Sequence, residues 1–165
     1  MLNVKIKKLN ENAVIPQYAK HGDAGLDLTA TSKEYDEHGN VCYGTGLSFE
    51  IPHGYVGLLF PRSSNTKKDL ILGNSVGVID SGYRGEVVLK FKPSSVYSRI
   101  SKGVALRSEY PDSYEIGDRI GQIIIMPYLQ INFVEVDELS SSDRGVGGFG
   151  STDPITAAIE ANSQC

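Results

Sequence analysis

The apolar runs of this 165-residue chain are short, and Gly, Pro, Asn, Asp or Ser closes almost every one of them. A strand needs only about four to eight residues between such stops, whereas an amphipathic helix needs about ten or more with apolar positions three and four apart. No stretch supplies that longer pattern, and nothing repeats at the period of a solenoid. The strands predicted from pattern are 4–9, 24–30, 48–52, 55–61, 119–127 and 131–136. Residues 119–127 form a continuous apolar run, as in a strand buried on both faces, while 131–136 alternates cleanly. Many short strands separated by turn signals indicate an all-β sandwich or barrel. Two short helical turns are predicted at 63–69 and 154–160, the second with Asp153 as cap and Pro154 in its first position.

The length suits one domain with a real core. A polar, Ser- and Tyr-rich stretch at 93–114 reads as a surface excursion. Beyond Val136 the composition turns polar and then Gly-rich, which divides the chain into a core, 1–137, and a flexible C-terminal arm with a short tail, 138–165. The formal net charge of −4 disfavours wholesale binding to nucleic acid or to an anionic membrane. Cys42 and Cys165 stand in no CxxC pair and no metal-ligand spacing, which fits a reducing compartment. No segment reaches transmembrane length and the first residues do not read as a signal peptide. The expectation is a soluble, cytoplasmic protein.

The segment from Gly73 to Glu86 reads as a strand and a tight turn, and Val87 to Phe91 as the returning strand of a hairpin. It sets a carboxylate, Asp80, before the turn and an aromatic, Tyr83, inside it. A rigidly mounted carboxylate suits general-base chemistry, although Asp also opens turns for purely conformational reasons.

The arm carries Arg144-Gly145-Val146-Gly147-Gly148-Phe149-Gly150-Ser151-Thr152. It contains GxGxxG, but no crossover helix and acidic residue follow as a dinucleotide fold requires, and the Lys of a Walker A loop is missing. Glycines that free backbone N–H groups, two hydroxyls, a guanidinium and a stacking ring together describe a lid over a phosphorylated, flat ligand. A plain Gly linker is the alternative. Arg62, Ser63 and Ser64 follow a strand end, where they either grip phosphates or cap a turn. Asp27 lies in a small-residue strand, where a charge needs a partner or a hydrated metal. Gln122 interrupts an apolar run, either to orient a water or phosphate or as a satisfied buried amide. His21, His38 and His53 have no ligand spacing.

Taken together, these segments resemble the five ordered motifs of the trimeric dUTPase family: 24–28, 61–64, 74–86, 117–123 and 144–152. The resemblance implies a distorted jelly roll (a β-clip), assembled as a homotrimer with sites between subunits, that hydrolyses dUTP to dUMP and pyrophosphate with Mg²⁺. It implies Asp80 as the base acting on the attacking water. Asp27 and Gln122 would act on the metal through water. Arg62, Ser63, Ser64, Gln122, Arg144, Gly150, Ser151 and Thr152 would lie along the phosphates. Asn74, Gly77, Val78 and Ile79 would read the uracil edge, with Tyr83 on the deoxyribose and Phe149 over the base. The chain departs from the family pattern at Ser63-Ser64-Asn65, where many members have Ser-Gly-Leu, in its long 93–114 excursion, and in its tail. Those divergent loops are similar to those of the enzyme of a large cytoplasmic DNA virus. A dCTP deaminase-like enzyme and a non-catalytic nucleotide-sensing trimer are the alternative readings.

Overall fold

The computed structural model describes residues 2–94 and 112–148, together with the backbone of 100, 101, 104 and 105. Two units result, Met1–Gln130 and Ile131–Cys165. The first is almost entirely antiparallel β-structure. Its strands are β1 Lys5–Lys8, β2 Leu26–Thr29, β3 Ser32–Tyr35, β4 Val41–Gly44, β5 Leu47–Glu50, β6 Tyr55–Phe60, β7 Leu70–Leu72, β8 Gly77–Ile79, β9 Val88–Pro93, β10 Ile100–Ser101, β11 Val104–Ala105 and β12 Arg119–Pro127. One four-stranded sheet has the order β2-β12-β6-β8 and the other β3-β4-β9-β7, with two-stranded ribbons β1-β5 and β10-β11. This is the jelly-roll-like β-clip expected from the sequence.

The sheets form where apolar residues alternate or run on. In β9, Leu89 and Phe91 are buried while Val88 and Lys90 face out. In β12, Ile120, Gly121 and Ile123 are all buried. The core is filled by Leu28, Val41, Tyr43, Leu47, Ile51, Val87, Leu89, Phe91, Ile120 and Ile123. Tyr43, Phe91 and Tyr114 pack edge-on or tilted with centroids 5.9–6.0 Å apart, a geometry that aligns ring edges with ring faces. The buried Tyr43 hydroxyl is satisfied, donating to Tyr114 O at 2.9 Å and accepting from Tyr114 N at 3.0 Å.

Two expectations fail. Residues 131–136, in the second unit, form no strand, and Ile131, Phe133 and Val134 are 70–88 % exposed. Alternation prepares a strand, but only a partner edge makes one, and the described residues supply none for it. The hairpin at 77–91 is also different from its sequence signature. The strands flanking its turn belong to different sheets: β8 pairs with β6, whereas β9 pairs with β4 and β7. The segment between β7 and β9 is therefore a corner that lends three residues to the opposite sheet. Of the helical turns, 63–69 appears as a 3₁₀ helix, Ser63–Lys67, and 154–160 lies outside the described residues.

Candidate active site

The corner carries the first group of candidate residues. Gly77 lets β8 approach β6 closely, since a Cβ there would sit 3.0 Å from Leu59 side-chain atoms. β8 ends its sheet, so one edge of its backbone is paired with β6 and the other with no strand among the described residues. Ser75, at φ 61°, is the one described non-glycine residue in the left-handed region, and it turns the chain from Asn74 into β8. After β8, Tyr83 N donates to Asp80 O at 3.0 Å, closing the turn. The Asp80 side chain is exposed. Tyr83 is 45 % exposed, and its hydroxyl donates to Glu86 O at 3.0 Å. Its ring lies where a Cβ on Gly85 would be, with Cζ only 2.6 Å from that position. Asn74, Val78, Ile79, Asp80 and Tyr83 line one cleft of about 610 Å³ together with Glu86, Lys90 and Lys92.

The second group gathers at the other side of the same sheet. Asp27 and Gln122 are cross-strand partners on β2 and β12. Arg62, just beyond β6, donates from Nε and Nη2 to the two Asp27 oxygens at 2.7 and 3.3 Å, and from Nη1 to Ser64 Oγ at 3.2 Å. Arg119 Nη1 donates to the same carboxylate at 2.9 Å. The charge of Asp27, which needed a partner, thus has two. A shift in the β12–β2 register between Arg119 and Gly121 accompanies this arrangement; such bulges re-aim side chains. Gln122 donates to Pro61 O at 3.1 Å, and Gly25 leaves room for it, since a Cβ there would press on the Gln122 amide and make it shift. Asp27, Arg62, Arg119 and Gln122 line a cleft of about 430 Å³. Arg62, Ser64 and Arg119 also border an adjoining one of about 470 Å³ with Lys67, Lys68 and Tyr114. There Lys68 is held charged, its pKa raised chiefly by Asp112, 2.8 Å away. Burial pushes the Tyr114 phenol up, opposed by Ser64, Arg62 and Lys68.

Ser63 is exposed at the start of the 3₁₀ helix, beside Ser64 but outside these linings. Arg144 belongs to the second unit, where its Nε donates to Gly147 O at 2.9 Å across a turn containing Gly145 at φ +52°. Phe149, Gly150, Ser151 and Thr152 lie outside the described residues. Arg119 and Glu86 are the residues that sequence reasoning passed over. Both stand inside motifs already singled out, but only the fold shows what their charges touch.

The donor set suits a hydrated divalent ion. No group of three or more His, Cys, Asp or Glu is placed to cage a metal among the described residues. The cleft is lined by two carboxylates, Asp23 and Asp27, and two amides, Gln17 and Gln122, an oxygen-donor set that suits the way Mg²⁺ keeps its waters and binds through few protein groups plus phosphate oxygens.

A family model described as dUTPase matches residues 11–103 and 107–153. The deoxyuridine 5'-triphosphate nucleotidohydrolase of Clostridium acetobutylicum is 38 % identical over 155 residues, 92 % of this chain and 97 % of the relative. That of Nautilia profundicola is 40 % identical over 154 residues, covering 92 % and 99 %. Among solved structures, a variant of the Staphylococcus bacteriophage 80alpha dUTPase with dUpNHpp superposes with a TM-score of 0.73 at 27 % identity, covering 92 % of this chain and 99 % of that one. A variant dUTPase from phage phi11 of S. aureus, described as coordinating a structural Mg(II) ion, gives 0.64 at 28 % identity, covering 83 % and 98 %.

Proposed function

The chain belongs to the dUTPase family, and from that premise we propose that it hydrolyses dUTP to dUMP and pyrophosphate, as a homotrimer using Mg²⁺. The reaction limits uracil entry into DNA and supplies dUMP. The observation that carries the reading is the composition of the 610 Å³ cleft: an exposed carboxylate, an aromatic wall and a free strand edge in one place.

Each residue has a role suited to its chemistry. The backbone of Gly77, Val78 and Ile79, with the Asn74 amide, pairs with the uracil edge. Cytosine would reverse that donor and acceptor pattern and leave buried groups unpaired, at about 1–3 kcal/mol each. Tyr83 packs on the deoxyribose and excludes a 2′-hydroxyl. Asp80 orients the water that attacks the α-phosphorus and takes its proton. Arg62, Ser63 and Ser64 hold phosphate oxygens, Arg144, Gly150, Ser151 and Thr152 close over the distal phosphate, and Phe149 stacks on the base. Asp27 and Gln122 would hold Mg²⁺ through its waters. When bound, that ion neutralises charge developing on the triphosphate. The trimer is supported by the separation of roles: the cleft of Asp80 and Tyr83 shares no lining residue with those of Arg62 and Gln122, which fits a site completed between chains.

The deaminase alternative is not favoured by any relative reported above. No helix among the described residues is long and apolar enough to cross a membrane. A cytoplasmic location belongs to this proposal, as does a viral source; the viral source rests on loop lengths, and the relatives reported above come from bacteria and phages. The test is pyrophosphate release from dUTP with and without Mg²⁺, against dTTP, dCTP and UTP. Selective, metal-dependent turnover of dUTP is expected. No turnover of dUTP with Mg²⁺ present, or ammonia released from dCTP, would overturn the reading.

A further inference from the structure

Apart from the core tyrosines, two polar side chains are buried among the described residues, Thr45 at 0 % and Ser48 at 7 % exposure. Both serve the loop that carries Asp80 and Tyr83. Thr45 Oγ1 donates to Val87 O and Ser48 Oγ to Arg84 O, each at 2.7 Å. Between them Gly46 N donates to the Glu86 carboxylate, also at 2.7 Å. The β4–β5 turn is shaped for that carboxylate. Gly46 has φ +65°, and a Cβ on Gly44 would come within 2.6 Å of Glu86 Oε1.

Glu86 also faces the other way. Its backbone oxygen receives the Tyr83 hydroxyl at 3.0 Å. One residue therefore ties the buried turn to the exposed aromatic: a charged acceptor grips a backbone N–H on one side, and a carbonyl grips the phenol on the other. Gly85 beneath the ring leaves that tether as the polar restraint on its tilt.

We infer that Glu86 is a positioning residue for sugar selectivity. Through Gly46 it fixes the height of Tyr83 over the cleft, and so the space left at the 2′ carbon of the nucleotide. The inference rests on the proposed reading of Tyr83 as the wall against the deoxyribose. It assigns the discrimination to a residue that does not itself touch the sugar.

The experiment compares kcat/KM for dUTP and UTP in the wild type, Glu86→Gln, Glu86→Ala and Tyr83→Phe, with thermal melting of each. Glu86→Gln keeps an acceptor oxygen for Gly46 N and is expected to hold the dUTP/UTP ratio within about threefold. Glu86→Ala removes the carboxylate held by Gly46 N while leaving the carbonyl that receives Tyr83, and the ratio should fall about tenfold or more, the scale of a misplaced pocket wall. A loop that had merely loosened would slow both substrates together and leave the ratio unchanged; that outcome in Glu86→Ala overturns the inference. Should Glu86→Ala not fold, Tyr83→Phe decides. It keeps the ring and removes only the hydroxyl that reaches Glu86 O. A reduced ratio upholds the tether, and an unchanged ratio overturns it. A wild type that shows no preference for dUTP would instead overturn the proposed function.

Discussion

The two halves of the site are held by different forces. The loop of Asp80 and Tyr83 is fixed from behind by buried, mostly uncharged donors on the β4–β5 turn. The cluster of Asp27, Arg62 and Arg119 is held by ion pairs that solvent reaches, with side chains 26 % exposed at Asp27 and Arg62 and 56 % at Arg119. Buried hydrogen bonds keep one geometry and barely respond to salt, whereas exposed charges are screened and exchange partners readily. On the proposed reading, the rigid part is the one that aims chemistry at a base and a sugar. The adjustable part is the one that would take up a highly charged triphosphate and its metal, where each guanidinium would pass from Asp27 to a phosphate oxygen.

The sharpest division comes from Asp80→Asn. On the rigid side, turnover should fall about 10²–10⁴-fold, the usual worth of a positioned base, with dUTP still bound; calorimetry with a non-hydrolysable analogue checks the second half. Turnover like that of the wild type would remove Asp80 from the base role. On the adjustable side, Arg62→Ala should raise KM for dUTP about ten- to a hundredfold, as expected for a lost charge-assisted hydrogen bond, and flatten the rise of KM with salt. A variant that kept the salt dependence of the wild type would show that Arg62 meets no phosphate. Thr45→Val keeps the shape and removes the hydroxyl donor to Val87 O. It should cost about 1–2 kcal/mol in chemical denaturation and lower kcat with no change in salt dependence. If KM and its salt slope moved instead, the two halves would not be separately held.

The smallest effect lies away from both halves. Asn40 side-chain and backbone donors, with Lys90 and the His38 N–H, hold the Asp36 carboxyl well below its ordinary 3.8. A depressed acid stabilises the fold at every pH above its unfolded value, and the contribution is lost as pH falls through the folded value. Asp36→Ala should therefore lower the melting temperature slightly at pH 7, and the gap to the wild type should begin to narrow below about pH 4. A gap that stays constant from about pH 5 down to about pH 2 would mean the effect is one of packing rather than charge.

Much of this was legible from residue order, and the failures share a cause. The long apolar run at Arg119–Pro127 announced β12, and Tyr55–Phe60 announced β6 by its apolar pattern and closing Pro. The motif residues Asp27, Arg62, Ser64 and Gln122 line two adjoining clefts that share Arg62 and Arg119. β3, with Ser, Lys, Glu and Tyr, was missed because backbone pairing to β4 defines it rather than an apolar face. The corner at 77–91 was misread because a tight turn between two strand-like runs does not say which sheet each run joins. Glu86 was invisible for a related reason: its partner, Gly46, is forty positions away. Local pattern reports what a segment is able to form, and long-range pairing decides which of those possibilities is used.

The open edge of β8 has a consequence for how such a protein can change over generations. Only three residues long, it is too short to template an intruding strand. On the proposed reading it recognises a base through main-chain atoms, whose donors and acceptors stay the same whatever side chain is attached, proline aside. Val78, 60 % exposed, can therefore be exchanged without rewriting which base is accepted. On that reading, base choice is insulated from most single-residue drift outside Asn74, while sugar choice, resting on one phenol and its tether, remains open to it.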